Sequence, residues 1–181
     1  MEPRAAHSWD RSDRLHMRHA LRLARKAALR GEVPVGCVAV INDEVVAAAS
    51  NRVERGGSAL LHAEMLALAK ASSTLGGWRL DRLTLYCTLE PCPMCAGAIL
   101  LARVARVVYG ADDPKKGAFR SCFDVLGSPL GNHHPLVECG LEATASAELL
   151  RQFFKGLRTS VAEPTRAALN SDGARRGVRV V

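Results

Sequence analysis

Two short segments carry side chains suited to catalysis: His62-Ala63-Glu64 and Pro91-Cys92-Pro93-Met94-Cys95. Imidazole and thiolate are ligands that Zn²⁺ favours, and a catalytic zinc keeps three protein ligands with one position open. His62, Cys92 and Cys95 supply three. Two thiolates cancel the charge of a dication, so a base should help it activate water, and Glu64 is the carboxylate at hand. Each segment alone is ambiguous. A single histidine before a helix is more often structural, and one CxxC serves metal or redox chemistry. A structural zinc would need a fourth ligand from Cys37, Cys87, Cys122, Cys139, His133 or His134, none of which forms a second CxxC or HxxxH pair. A redox dithiol would leave the His-Ala-Glu segment unexplained. The other four cysteines read as small buried hydrophobes.

The elements around these segments must bring them together. Asp13 is placed to cap a helix running to Arg30, with Met17, Ala20, Leu21, Ala24 and Ala28 as its apolar stripe and Gly31 as its stop. Residues 33–41 and 44–50 read as strands joined by an Asn42-Asp43 turn. A Gly-rich loop at 55–58 leads to a helix over 61–73. Further strands are expected at 83–88, 106–110 and 136–140, the first of them central. Pro91 and Pro93 open a helix to Ala102, since proline is tolerated in a first turn. A last amphipathic helix covers 145–158. Helices alternating with apolar strands predict a layered α/β sheet covered on both faces, mixed because its first two strands form a hairpin. Residues two apart on a helix project about 200° apart, so His62 and Glu64 can share a site only off a helix end. The metal must then sit where the two helix N-termini converge. There Cys92 and Cys95, three apart, share a face, and the positive helix end favours thiolates.

The 181 residues make one domain's worth of chain. With 48% apolar and 24% charged residues, the composition excludes a disordered chain, a collagen-like fibre and a disulfide miniprotein. No apolar run suggests a membrane span. The N-terminus carries charges where an export signal needs an apolar stretch, so a cytoplasmic protein with reduced cysteines is expected. Residues 1–12 and 159–181 read as flexible ends, the latter basic, around a domain over 13–158. The net charge is +7, and residues 1–30 hold eight Lys/Arg against three acids. That is either the footprint of a polyanion or a solvated helix face. Aromatics are only 4% and form no strand cluster, which argues against a sheet that stacks bases.

The pair HAE and TLEPCPMC resembles the zinc-dependent nucleoside and nucleobase deaminases, whose H-x-E…P-C-x-x-C signature and zinc/glutamate chemistry are well described. EVPVGCVAV (32–40), Asn51-Arg52, TLEPCPMCAGAI (88–99), RVVYGADDPKKGA (106–118), Asn132-His133 and Phe153-Phe154-Lys155 are similar to the bacterial tRNA-specific adenosine deaminases, over Asp13 to Arg158. The resemblance implies a cytidine-deaminase-like three-layer α/β/α sandwich with a five-stranded mixed sheet. It implies a homodimer with one Zn²⁺ per chain, converting the wobble adenosine of an arginine tRNA anticodon stem-loop to inosine. It assigns His62, Cys92 and Cys95 as metal ligands, Glu64 as proton shuttle, and Asn51, with Val35 and Ala63, as contacts of the flipped base. One departure stands before the HAE. The family reads close to Asp-Pro-Thr-Ala there, and this chain has Ser58-Ala59-Leu60-Leu61, which bears on substrate preference.

Several residues are candidates for RNA contact. Phe153, Phe154, Lys155 and Arg158 lie on the final helix. Neighbouring phenylalanines cannot share a helix face, so either one packs inward and the other faces solvent or RNA, or both pack in the core or a dimer interface. Lys115 and Lys116 could meet phosphate or stay solvated. Asp112 or Asp113 could accept a hydrogen bond from a ribose 2′-OH. Two other functions fit the same sequence: deamination of a small free substrate such as guanine, cytosine or a riboflavin precursor, and a non-catalytic RNA-binding partner subunit. Glu64 argues against the last.

Overall fold

The computed structural model describes residues 9–126 and 132–162. Five strands form one mixed sheet in the order β2-β1-β3-β4-β5. They are β1 (Gly36–Ile41), β2 (Glu44–Ser50), β3 (Thr84–Leu89), β4 (Arg106–Ala111) and β5 (Leu136–Cys139). β1 pairs antiparallel with β2 and β3, while β3, β4 and β5 run parallel. The β1–β2 hairpin turns on Asn42 and Asp43, both at positive φ, as a two-residue turn matched to strand twist requires. β3 is central, as expected.

The side-chain period of two divides the core. Cys37, Ala39, Leu85, Cys87, Val107 and Tyr109 point to one face, where they meet Ala63, Ala67 and Ile99. Those three lie on α3 (Ala63–Leu75) and α4 (Pro93–Leu101). Val38, Val40, Tyr86 and Val108 point to the other face, against Met17 and Ala20 of α1 (Arg11–Ala28). α5 (Ala143–Ala162) lies beside β4 and β3 on the α1 side, completing three layers. α1 crosses β1 so closely that a Cβ on Gly36 would stand 2.0 Å from the Ala20 carbonyl oxygen. Only glycine fits there.

Several expected boundaries move. The N-cap of α1 is Asp10, whose carboxylate accepts the Asp13 N–H at 2.6 Å, so the helix begins at Arg11. Asp13 is instead a buried helical residue. It accepts hydrogen bonds from the Tyr86 hydroxyl at 2.7 Å and from the Arg106 guanidinium at 2.6 Å. Trp9 packs against the α1-side core, so the folded unit starts before residue 13. β1 starts at Gly36 rather than residue 33, and the Gly-rich loop holds a short helix, α2 (Val53–Gly56). α5 runs on to Ala162, and the rest of the expected tail, like residues 1–8, lies outside the described residues. Cys37 and Cys87 are fully buried opposite each other, but Cys122 is exposed, against expectation, with its thiol near the Pro114 and Lys115 carbonyls. No helix among the described residues is long and apolar enough to cross a membrane.

Candidate active site

The N-termini of α3 and α4 meet at the end of the central strand, as the two motifs require. His62 is the N-cap of α3 and lies outside the helix in extended backbone. This resolves the 200° constraint: His62 is not helical, and Glu64 is the second helical residue. Cys92 is the N-cap of α4, Pro93 opens the helix, and Cys95 follows within its first turn. His62 Nδ1 stands 3.6 Å from Cys92 Sγ and 3.5 Å from Cys95 Sγ, and the two sulfurs are 3.6 Å apart. A zinc tetrahedron with Zn–S of about 2.3 Å and Zn–N of about 2.05 Å has S···S and S···N edges of about 3.8 and 3.6 Å. The donor set therefore fits Zn²⁺ in both chemistry and spacing. Among the described residues no fourth His, Cys, Asp or Glu joins the cluster, and the His133 ring nitrogen is spent on the Val104 carbonyl. This is the ligand count of a catalytic site.

Electrostatics agree. Hydrogen bonds from Cys95 and His62 push the Cys92 thiol down to about 4. Cys95 moves up, because its hydrogen bond to Cys92 and its burial both favour the thiol. Metal binding at this cluster requires both sulfurs as thiolates and so releases protons. His62 is raised by its bond to Cys92 and by the nearby Glu64 charge. Glu64 is 4% exposed, and burial raises its carboxyl above the usual range. Its Oε2 is buried with no hydrogen-bond partner and the residue lines the pocket, as a group that meets water or substrate must.

The pocket over this floor has a volume of about 490 Å³. Val33, Val35, Val53 and Leu89 give it apolar walls, and Asn51 lies beside them. Asn51 is 6% exposed, and its Oδ1 accepts the Ala63 N–H at 2.9 Å. That bond leaves the Nδ2 group as the part of the amide that can donate to a ligand. Ala63 does not line the pocket; its N–H is used to hold Asn51. Asp113 and the exposed Lys115, Lys116 and Phe154 line the pocket mouth. Phe153 is half-buried and lies outside the lining, while Phe154 is exposed and meets it edge to face at 5.5 Å. Lys155 and Arg158 are exposed on α5 and are not part of the lining.

Two buried glutamates in the walls were absent from the sequence reading. Glu32 is fully buried and accepts the Glu54 and Arg55 N–H groups of α2 at 3.2 and 2.9 Å. Glu90 is 1% exposed and accepts N–H groups from Asp113, Phe119, Arg120 and Ser121. Burial alone would raise its carboxyl, but these bonds and the Ser121 hydroxyl hold it below the usual range. The signal was present: each is an acid flanked by apolar residues and followed within two positions by proline.

The model of the cytidine and deoxycytidylate deaminase zinc-binding region matches residues 10–111, more than half of the chain. The chain belongs to this deaminase family. The deaminase is 46% identical to the tRNA-specific adenosine deaminase of Bacillus subtilis over 146 residues, 81% of this chain and 91% of that one. It is 45% identical to the tRNA-specific adenosine deaminase of Agrobacterium fabrum over 148 residues, 81% and 97% of the two chains. A solved structure from work on A-to-I editing by tRNA:A34 deaminases superposes with a TM-score of 0.74 at 43% identity, covering 75% of this chain and 99% of that one. The guanine deaminase of Bacillus subtilis aligns less well, with a TM-score of 0.54 at 30% identity over 80% and 92% of the chains.

Proposed function

We propose that the deaminase hydrolyses adenosine to inosine at the wobble position of an arginine tRNA anticodon loop, as a cytoplasmic homodimer with one zinc per chain. The observation that carries this reading is Glu64: a buried carboxylate with one unpartnered oxygen, beside a three-ligand zinc cluster, on the floor of a pocket wide enough for a purine and rimmed by lysine and phenylalanine. The relatives named for tRNA adenosine deamination support the substrate, and the family resemblance supports the dimer.

A zinc held by His62, Cys92 and Cys95 supplies the Lewis acidity that makes water a nucleophile near neutral pH. Glu64 takes the proton that the attacking water loses and delivers it to N1 of the base as oxygen bonds to C6. The same carboxylate then carries the proton of the new C6 hydroxyl to the amine on C6, the C6–N bond breaks as the carbonyl forms, and ammonia leaves. Shuttling of this kind contributes typically about 10²–10⁴-fold. Asn51 Nδ2 donates to an acceptor on the base edge and fixes its orientation. Val33, Val35, Val53 and Leu89 exclude bulk water around the ring.

Relatives named for tRNA adenosine deamination match at 46% and 45% identity and the guanine deaminase at 30%, which supports adenosine in RNA over a free base. A non-catalytic RNA-binding subunit has no use for a buried carboxylate oxygen left without a hydrogen-bond partner, which costs stability. Incubation with candidate tRNAs followed by sequencing tests the proposal, since inosine reads as guanosine. Ammonia released from free guanine, with the tRNAs unchanged, would replace this reading with the free-base one.

A further inference from the structure

We infer that Glu90 is a positioning residue for RNA binding: its buried carboxylate holds the segment 112–121 so that Lys115 and Lys116 stand at the pocket mouth. The inference rests on the RNA substrate proposed above.

Glu90 lies between the end of β3 and the ligand Cys92. One of its oxygens, Oε1, accepts N–H groups from Phe119 at 3.1 Å, Arg120 at 2.8 Å and Ser121 at 3.0 Å. The other, Oε2, accepts the Asp113 N–H at 3.1 Å and the Ser121 hydroxyl. A single side chain thus binds both ends of the segment, closing it into a loop around a fixed charge. Charge-assisted bonds to backbone N–H groups are stronger than neutral ones. The loop is shaped for this guest. A Cβ on Gly117 would stand 2.1 Å from Glu90 Oε2, so any other residue there would displace the carboxylate. The Asp113 side chain accepts the Lys115 and Lys116 N–H groups at 2.9 and 3.2 Å, which shapes the tip. Beyond the loop, only Ala118 and Phe119 enter the core, while Asp112, Pro114, Lys115 and Lys116 are exposed. The lysines are therefore placed through their backbone, which these bonds and the Cys122 thiol beside the Pro114 and Lys115 carbonyls hold. Glu90 also precedes Cys92 by two residues, and the Pro91 carbonyl accepts the Ala118 N–H at 2.9 Å, so loop and metal ligand share one anchor.

Glu90→Gln puts an amide N–H₂ where a carboxylate oxygen received N–H and O–H donors. The expected result is a KM for the anticodon stem-loop raised about tenfold, with kcat within about twofold and one zinc per chain retained. The slope of log KM against log salt should become shallower by about one to two, the share of two phosphate contacts. Glu90 acts through the lysines, so adding Glu90→Gln to the Lys115→Gln/Lys116→Gln variant should cost little more. Gly117→Ala approaches the same contact from the loop side and should reproduce the KM change; it also serves if Glu90→Gln does not fold. Hydrogen exchange should quicken across 112–121 while segments around His62 and Cys95 stay protected. Unchanged KM, effects that add to those of the lysine variant, or activity falling only in step with zinc would overturn the inference. If the wild type leaves the stem-loop unedited, the functional reading fails. Hydrogen exchange then still decides the role of Glu90, because a loop that stays protected in Glu90→Gln is not held by it.

Discussion

The Asn51 side-chain oxygen accepts the Ala63 N–H at 2.9 Å, tying the residue after β2 to the first residue of the helix that bears Glu64. One amide therefore has two tasks on its two ends: Oδ1 sets the start of α3, and Nδ2 is left for the base. Asn51→Asp keeps the acceptor for Ala63 and loses the donor. It should leave the melting temperature near the wild-type value while kcat/KM falls about 100-fold. Asn51→Ala loses both, and the orphaned buried N–H should cost a further ~1–3 kcal/mol of stability. Steady-state kinetics with thermal melts separate the two, and equal melting temperatures for both variants would sever the link to α3.

Glu64→Ala should keep one equivalent of zinc and normal stem-loop affinity, yet lose at least about 10²-fold in turnover. Because it removes a buried carboxylate oxygen that has no hydrogen-bond partner, it should also melt no lower than the wild type. Metal analysis, RNA binding and single-turnover assays check this. Turnover within a few-fold of wild type would remove the carboxylate from proton transfer.

Cys92→Ala and Cys95→Ala should each lose zinc and activity together. In the intact protein, chelation should do the same, with activity returning in proportion to zinc added back. Activity that persists with no detectable metal would end the hydrolytic account.

Asp13, Tyr86, Arg106 and Glu138 join α1, β3, β4 and β5 through one buried polar node. Arg106 bonds Asp13 Oδ1 and Glu138 Oε2 at 2.6 Å each. Arg106→Ala leaves two largely buried carboxylates without their cation and should destabilise by about 3–5 kcal/mol. Burial alone would raise the Asp13 carboxyl, but hydrogen bonds from Arg106 and Tyr86 hold it below its ordinary 3.8. Its contribution is therefore complete above about pH 4 and drains away as pH falls through the lower folded value. Denaturant melts of wild type and Asp13→Asn between pH 7 and 3 should show their stabilities drawing together in acid. A constant difference would contradict this.

The architecture was legible because its signals are local and periodic. The apolar runs, the Asn42-Asp43 turn and the prolines before α4 each mark an element from within it. The metal cluster was legible because its ligands sit at helix starts that the motifs themselves announce. What escaped depends on distant partners. Asp13 looks like a cap in sequence, and only Arg106, 93 residues on, shows that it is a core ion-pair partner. Glu90 fell inside a motif read for its cysteines, and its donors come from a loop some 23 to 31 residues away. The short α2 was hidden by Gly56-Gly57, which reads as a breaker although Gly57 at φ +61° is a left-handed helix stop.

The ligands stand 30 and 33 residues apart along the chain, with the middle strand of the sheet threaded between them. No stretch of polypeptide released early from the ribosome can grip the ion with more than an imidazole, and an isolated α4 could offer only its two sulfurs. Full coordination thus waits on the sheet's central pairing, and metal uptake during refolding becomes a clock for that event.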